Sequence, residues 1–267
     1  MKISSDSLTN VGGREYNEDC LGHWSTERFY HCVVADGVGG HGGGDIASHI
    51  VVETVLMDLR CLTDTQRPVT GERLARSLLL ANAEIQEEQG RGDVKRKQMR
   101  STAAVLSIDR EHGTAAWAHC GDTRLYCVRD HMIVAQTRDH SLVQAMVEAG
   151  TLADSAVRQH PHRSMLLSAL GTVECELQIS HFDGALPLQE GDVFLLCTDG
   201  LWEWIDESAM LALLYDSASP NEWLFKLADQ VRKRAKSGND NFSAYAVRIG
   251  ALTVSGTSNS GNVVAGK

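Results

Sequence analysis

The apolar residues of this chain fall into two patterns. Short unbroken runs at 29–35, 102–108, 114–120, 124–128, 132–135, 193–197 and 242–249 predict strands, several of them buried on both faces. Residues 45–62 and 72–88 instead repeat their apolar positions every three or four residues. Ile46, Ile50, Val51, Val55 and Leu59 share one helical face, as do Leu74, Leu78, Ala81 and Ile85. A shorter helix is predicted around Leu142, Ala145, Met146 and Ala149, ended by Gly150, and another over 207–215. The last helix starts at Ser219 as N-cap, with Pro220 in the first helical position and Glu222 placed to close a capping box. One more strand is expected at 177–182.

The order is strand, two helices, many strands, two helices, one strand. It lacks the regular alternation of a parallel sheet and suits a layered α+β fold, in which helix pairs cover mostly antiparallel sheets. Residues 250–267 are rich in Gly, Ser and Asn without periodicity, and are expected to form a mobile tail behind a domain spanning 1–249.

Composition narrows the function. The 267 residues are 43% hydrophobic and 22% charged, enough for an ordinary core. Residues 1–6 lack the basic start and apolar run of a signal peptide, and no apolar stretch approaches the roughly 20 residues needed to cross a bilayer. A soluble protein with no membrane partner is expected. A net charge of −10 argues against nucleic acid, and the basic runs Lys95, Arg96, Lys97 and Arg232, Lys233, Arg234 read as a solvated loop and helix face. The seven cysteines are odd in number and none has C-x-x-C spacing. Cys32 and Cys197 lie inside apolar runs, as small buried hydrophobes do, so a reduced cytoplasmic compartment is the simplest reading.

The candidate chemistry lies where strands end. Ala35 leads into Asp36 and Gly37, Cys120 into Gly121 and Asp122, Thr198 into Asp199 and Gly200, and Asp240 and Asn241 lead into the last strand. One such turn is ordinary, since Asp and Gly make turns. Four of them suggest carboxylates held rigidly around hard cations such as Mg²⁺ or Mn²⁺, which take oxygen ligands. Near the start, Glu18 and Asp19 add two adjacent carboxylates, and Arg14 adds a planar fork that suits phosphate. Alone, that segment would read as a surface turn with a local ion pair.

Taken in order, Arg14, Asn17, Glu18 and Asp19, then Asp36 to His41, Gly121 to Arg124, Asp199 to Trp202, and Asp240 with Asn241 resemble the motifs of the metal-dependent protein phosphatases, the protein phosphatase 2C family, in its compact bacterial form. The resemblance spans about residues 5–249. It implies a four-layer α-β-β-α sandwich and hydrolysis of phosphoserine and phosphothreonine by a water activated between two Mn²⁺ or Mg²⁺ ions. Asp36 would bridge the ions, Asp199 and Asp240 would complete one site, and Glu18 with the Gly37 carbonyl the other. Asp19 would orient the water and Arg14 hold the phosphate. Asp122, with Asp199, would form a third, weaker and more exposed metal site, with Glu203 close by. His41 is the candidate acid for the leaving alcohol, although eukaryotic relatives carry a His where this chain has Val38. The 139–171 segment resembles a flap beside the cleft. The implied partners are phosphorylated targets of a serine/threonine kinase, met by a monomer.

Rival readings are weaker. Gly37, Gly39 and Gly42 satisfy a dinucleotide fingerprint after a strand, but the next element is a second helix where a Rossmann unit needs a strand. A non-catalytic relative, a binding or sensor module, would be expected to lose these carboxylates, and all are present. A metal-dependent nuclease conflicts with the acidic balance. Trp202 and Trp204 are expected to pack, one in the core and one against a helix, Arg124 to anchor its turn, and His160 and His162 to belong to the flap.

Overall fold

The computed structural model describes residues 1–38, 43–62, 68–91 and 96–250. Along the chain come β1 (Ile3–Asn10), β2 (Asp19–Ser25) and β3 (Phe29–Val38), then helices α1 (Gly44–Arg60) and α2 (Gly71–Arg91). Next are β4 (Arg100–Ser101), β5 (Ala103–Asp109), β6 (Thr114–Cys120), β7 (Arg124–Arg129), β8 (Met132–Gln136) and α3 (Leu142–Glu148). After β9 (Ser180–His181), β10 (Leu186–Pro187) and β11 (Val193–Cys197) the chain closes with α4 (Asp199–Trp202), α5 (Glu207–Tyr215), α6 (Pro220–Arg234) and β12 (Phe242–Ile249).

The strands form two sheets. One runs β1-β12-β11-β7-β8; the other runs β10-β6-β5-β3-β2, with β4 added to β3 and β9 to β6. Every pairing between them is antiparallel. The unbroken apolar runs are explained by burial of both strand faces. Along β3, Val33 and Ala35 meet Val51, Val55, Leu74 and Leu78 of α1 and α2. The alternate residues Cys32 and Val34 turn inward, where they share a core with Phe194, Leu196, Tyr245 and Val247 of the other sheet. The outer face of that second sheet, with Leu195, Cys197 and Ala246, packs on Met210, Trp223, Leu227 and Val231 of α5 and α6. These three apolar layers give the expected α-β-β-α sandwich.

Where pattern and structure differ, the cause is local. β1 and β2 were not foreseen because their half-exposed residues (Ser4, Ser5, Asp6, Thr9) carry no apolar run. The strand expected at 177–182 is shortened to the two-residue β9, preceded by a 3-10 turn at Glu174–Glu176. The start of α6 follows the sequence signal, since Ser219 Oγ accepts from the Glu222 N–H at 3.2 Å. The Glu222 carboxylate reaches back one residue further than a capping box, to the Ala218 N–H at 2.9 Å. The expected tail from 251 onward, and Lys95, lie outside the described residues.

Phe194 is fully buried between the sheets. Phe194→Ala should therefore cost about 3–5 kcal/mol, measured as a lower urea midpoint at unchanged slope.

Candidate active site

One edge of the sandwich gathers the acidic residues. β2 and β3 pair with Asp19 opposite Asp36, so their two carboxylates are set side by side by strand register. Glu18 just precedes β2; its N–H donates to Asn241 Oδ1 (2.8 Å), and the Gly37 N–H donates to its carbonyl (3.1 Å). The Asn241 amide also donates to the Val11 and Tyr16 carbonyls (2.8 and 3.1 Å), so one side chain pins the 11–18 turn to the start of β12. Asp36 does not end its strand as expected. β3 continues to Val38 and pairs with β4, and the Asp36 carbonyl accepts from the Thr102 N–H (2.8 Å) and Ser101 Oγ (2.9 Å). Asp199 opens the short helix α4. Its neighbour must be glycine, because a Cβ on Gly200 would sit 2.0 Å from the Asn241 carbonyl oxygen. That approach presses the Asp199 turn against the Asp240 turn.

Asp122 is held from below. Its carbonyl accepts from Trp202 Nε1 at 2.9 Å, and the preceding Gly121 N–H donates to His140 Nδ1 at 3.1 Å. Arg124, buried, forms two hydrogen bonds to Asp139 (2.8 and 2.7 Å) and lies 3.6 Å over the Trp202 ring. Arg124 therefore anchors its turn, as expected. Asp122 itself is only 4% exposed, which corrects the expectation of a more exposed site. Trp202 forms part of its floor, and Trp204, half-buried, lines the open cleft, with its carbonyl accepting from Arg234 of α6 at 3.1 Å.

The cleft above these residues has a volume of about 710 Å³ and is lined by Arg14, Asp199, Glu203 and Asp240 among others. Arg14 Nη2 meets Asp240 Oδ2 at 2.8 Å, with both side chains about half exposed. Arg163, from the 139–171 segment, meets Glu203 at 2.7 Å. Within that segment His160 is half-buried and His162 exposed, their rings tilted to one another with centroids 5.6 Å apart. Its base is clamped by α2: Asn82 Oδ1 accepts from the Gly171 N–H (2.7 Å), Gln89 donates to the Gly171 and Met99 carbonyls, and Gln86 to that of Thr172. Leu170 and Ser101 exchange backbone hydrogen bonds beside Asp36. His41 lies outside the described residues.

The electrostatics of this edge are unfavourable as it stands. Burial first, and then the charges of Asp19, Asp199, Asp122 and Asp240, push the Asp36 carboxyl far above the usual range. Asp199 is pushed up in the same way by burial and by Asp122, Glu203 and Asp240. Burial lifts Asp19 to about 7, partly offset by hydrogen bonds such as the one from Thr198 Oγ1 at 3.0 Å. Burial and Asp139 lift Asp122 to about 7 against the pull of Arg124. Glu18 is raised by burial, then by Asp45 and Asp240. Meanwhile Glu18 Oε1, Asp19 Oδ1 and Asp199 Oδ1 are buried without a hydrogen-bond partner, an arrangement proteins normally avoid.

Missing positive charge would resolve both problems. The donors are all hard oxygens, which fits Mg²⁺ or Mn²⁺ and not a softer ion. Among the described residues no three His, Cys, Asp or Glu side chains form a ready-made ligand group. Ions here would thus be shared between a few carboxylates, a backbone carbonyl and water, the usual manner for Mg²⁺.

Eight of the nine sequence candidates, Arg14, Glu18, Asp19, Asp36, Gly37, Asp122, Asp199 and Asp240, belong to this one edge of the sandwich. Sequence reading missed their supports: Asn241 as a clamp, Thr198 on Asp19, Ser101 on Asp36, His140 under Gly121, and the α2 amides. The motif pair Asp240 and Asn241 carried a signal for the first of these; the others are single polar residues with no local pattern.

Comparison with known proteins agrees with this geometry. The family model for protein phosphatase 2C matches residues 11–239. The chain is 30% identical to a serine/threonine phosphatase Stp of Listeria monocytogenes over 242 residues, covering 88% of this chain and 90% of that one. It is 32% identical to protein phosphatase PhpP of Streptococcus pneumoniae over 254 residues, 91% of this chain and 96% of that one. Among solved structures, PppA of Pseudomonas aeruginosa, described as a key regulatory component of T6SS, superposes with a TM-score of 0.71 at 30% identity, covering 93% of this chain and 98% of that one.

The raised carboxyls have a measurable signature without metal. A carboxyl whose pKa is higher folded than unfolded lets the native state hold more protons, so its contribution to stability falls as pH rises between the two values. For Asp122 that window runs from about 4 to about 7. Buried His31, His119 and His140 are shifted down and act in the opposite sense, losing stability below pH 6.5. The comparison that isolates the carboxyl is thus between parent and Asp122→Asn in EDTA. The variant should be more stable by on the order of a few kcal/mol at pH 8, and the gap should narrow steadily as pH falls from about 7 towards about 4. Chemical denaturation at each pH measures it.

Proposed function

The chain belongs to the protein phosphatase 2C family and is a metal-dependent serine/threonine protein phosphatase; on that premise we propose that residues 1–249 form its catalytic domain and that hydrolysis takes place over the buried carboxylates of the cleft. The observation that carries this reading is the set of buried carboxylates with unpartnered oxygens at Glu18, Asp19 and Asp199. Asp36 would bridge two ions, Asp199 and Asp240 would complete one site, and Glu18 with the Gly37 carbonyl the other. Asp122 and Asp199 would hold a third, looser ion. Mn²⁺ or Mg²⁺ bound there supplies positive charge for the phosphoryl oxygens and lowers the pKa of the attacking water.

The rest is the work of the chain's own groups. Asp19, anchored through one oxygen by Thr198, presents its other oxygen, Oδ1, to orient the water for in-line attack. Arg14 stands at the cleft rim, where its guanidinium can leave Asp240 for two phosphate oxygens. Water oxygen bonds to phosphorus as the bond to the serine or threonine oxygen breaks. The departing alkoxide takes a proton, and His41 is the sequence candidate to supply it. No covalent phosphoenzyme is required; the buried thiols of Cys32, Cys120, Cys127 and Cys197 have raised pKa values, the wrong direction for nucleophiles.

The substrates are phosphoproteins, and we place the kinase that makes them in the same compartment, the cytoplasm, with this phosphatase acting as a monomer. No helix among the described residues is long and apolar enough to cross a membrane.

Protein stripped with EDTA should lose turnover of a phosphothreonine peptide, and Mn²⁺ should restore it; full activity in a metal-free sample would end this reading. With Mn²⁺ present, Asp36→Asn and Asp199→Asn should each lower kcat by roughly 10²–10³-fold or more while circular dichroism is unchanged. Arg14→Ala should raise KM for the phosphopeptide about tenfold and leave the number of tightly bound Mn²⁺ unchanged. Arg14→Lys should recover only part of that loss, since the paired donors are gone.

A further inference from the structure

Four cations line the cleft: Arg14, Arg158, Arg163 and Lys236. Three already face carboxylates. Arg14 pairs with Asp240, Arg158 with Glu207 at 2.7 Å and Arg163 with Glu203 at 2.7 Å. The Lys236 ammonium has no hydrogen-bond or ion-pair partner among the described residues, although Asp206 and Glu203 line the same cleft. In a chain of net charge −10, an unpaired exposed lysine beside the catalytic carboxylates is a site for an anion brought from outside.

Its position is set by backbone packing. The turn after Lys236 closes with the Asn239 N–H on the Lys236 carbonyl (3.2 Å), and the Asn239 carbonyl accepts from the Gly13 N–H (2.9 Å). A Cβ on Gly13 would fall 2.7 Å from Gly238 Cα, and one on Gly12, at φ 61°, would fall 2.2 Å from the Asp240 carbonyl oxygen. The Arg14 turn and the Lys236 turn are therefore locked together by glycines that allow backbone to touch backbone. Arg14 serves the phosphate undergoing hydrolysis; Lys236 extends the same cleft wall by one more positive group.

We propose that Lys236 reads a second anionic group on the phosphoprotein, an acidic side chain or a second phosphate flanking the residue being dephosphorylated, and so sets substrate preference. This rests on the phosphatase reading of the same cleft. An exposed ion pair of this kind discriminates modestly, about two- to fivefold, and acts mainly through KM because it is equally present before and during bond breaking.

The test uses the intact Mn²⁺-loaded protein and matched phosphothreonine peptides whose flanks are neutral, aspartate, lysine or a second phosphoserine, with p-nitrophenyl phosphate as the flank-free substrate. The parent should favour the aspartate and phosphoserine flanks over neutral by about two- to fivefold in kcat/KM, less so at high salt. Lys236→Ala should level the series, and Lys236→Glu should turn it towards the lysine flank. In both variants kcat on p-nitrophenyl phosphate should stay within about twofold of the parent. A parent with no preference for anionic flanks, or a preference that survives Lys236→Glu, overturns the assignment while leaving the phosphatase reading in place. A parent that hydrolyses neither the peptides nor the aryl phosphate overturns both.

Discussion

Like charges pressed together out of water are the constraint on which the rest of this molecule depends. Asp19, Asp36, Asp122 and Asp199 are all pushed upward in pKa, first by burial and then by neighbouring carboxylates. No fold would retain that arrangement for stability alone, since removing a carboxyl from such a cluster relieves repulsion. The surrounding structure is therefore organised to hold repelling groups in place until cations arrive. It does so with backbone and neutral side chains: Asn241 on Glu18, Thr198 on Asp19, Ser101 on Asp36, and Trp202 on the Asp122 turn. None of these introduces a competing charge into the cluster. Arg124, a buried cation close by, is consumed by Asp139 through two short hydrogen bonds.

The sandwich supplies the rigidity this needs. Each sheet is packed on both faces, and the carboxylates gather at one edge, Asp36 within β3 and the others beside the ends of β2, β6, β11 and β12. A side chain on a strand anchored by apolar layers above and below has little freedom to retreat from its neighbours. The glycines do the complementary task of letting separate turns meet. Gly200 permits the Asp199 turn to touch the Asp240 turn just beyond the paired ends of β11 and β12.

Much of this was legible in the chain, and unevenly so. Helices α1 and α2 were plain because their apolar residues repeat at helical spacing, α6 because Ser219, Pro220 and Glu222 mark its start, and β3, β11 and β12 because both their faces are buried. β1 and β2 were invisible: half-exposed edge strands carry serines and aspartates whose pairing is decided by distant partners. The acidic candidates were found because each sits in a short Asp-Gly, Gly-Asp, Asp-Asn or Glu-Asp signature. Their electrostatic coupling was not readable, since Asp36 and Asp240 are more than 200 positions apart and no local pattern encodes their proximity. The supporting residues His140, Asn82 and Gln89 were unreadable for the same reason. A lone polar side chain looks alike on a surface and beneath an active site.

The pairing of β1 with β12 has a consequence for the birth of the molecule. Ile3 lies opposite Ile249 and Asn10 opposite Phe242, so β1 waits on a strand made more than 200 residues later. A chain still emerging from the ribosome already contains Asp19, Asp36 and Asp122, yet it lacks the strand that fills the space between β1 and β11 and the Asn241 that fastens Glu18. The cleft is assembled only when translation has passed Ile249 and that strand has slotted home. A chain stopped short of that strand thus carries the acidic residues of β2 and β3 without the clamp that holds Glu18 among them.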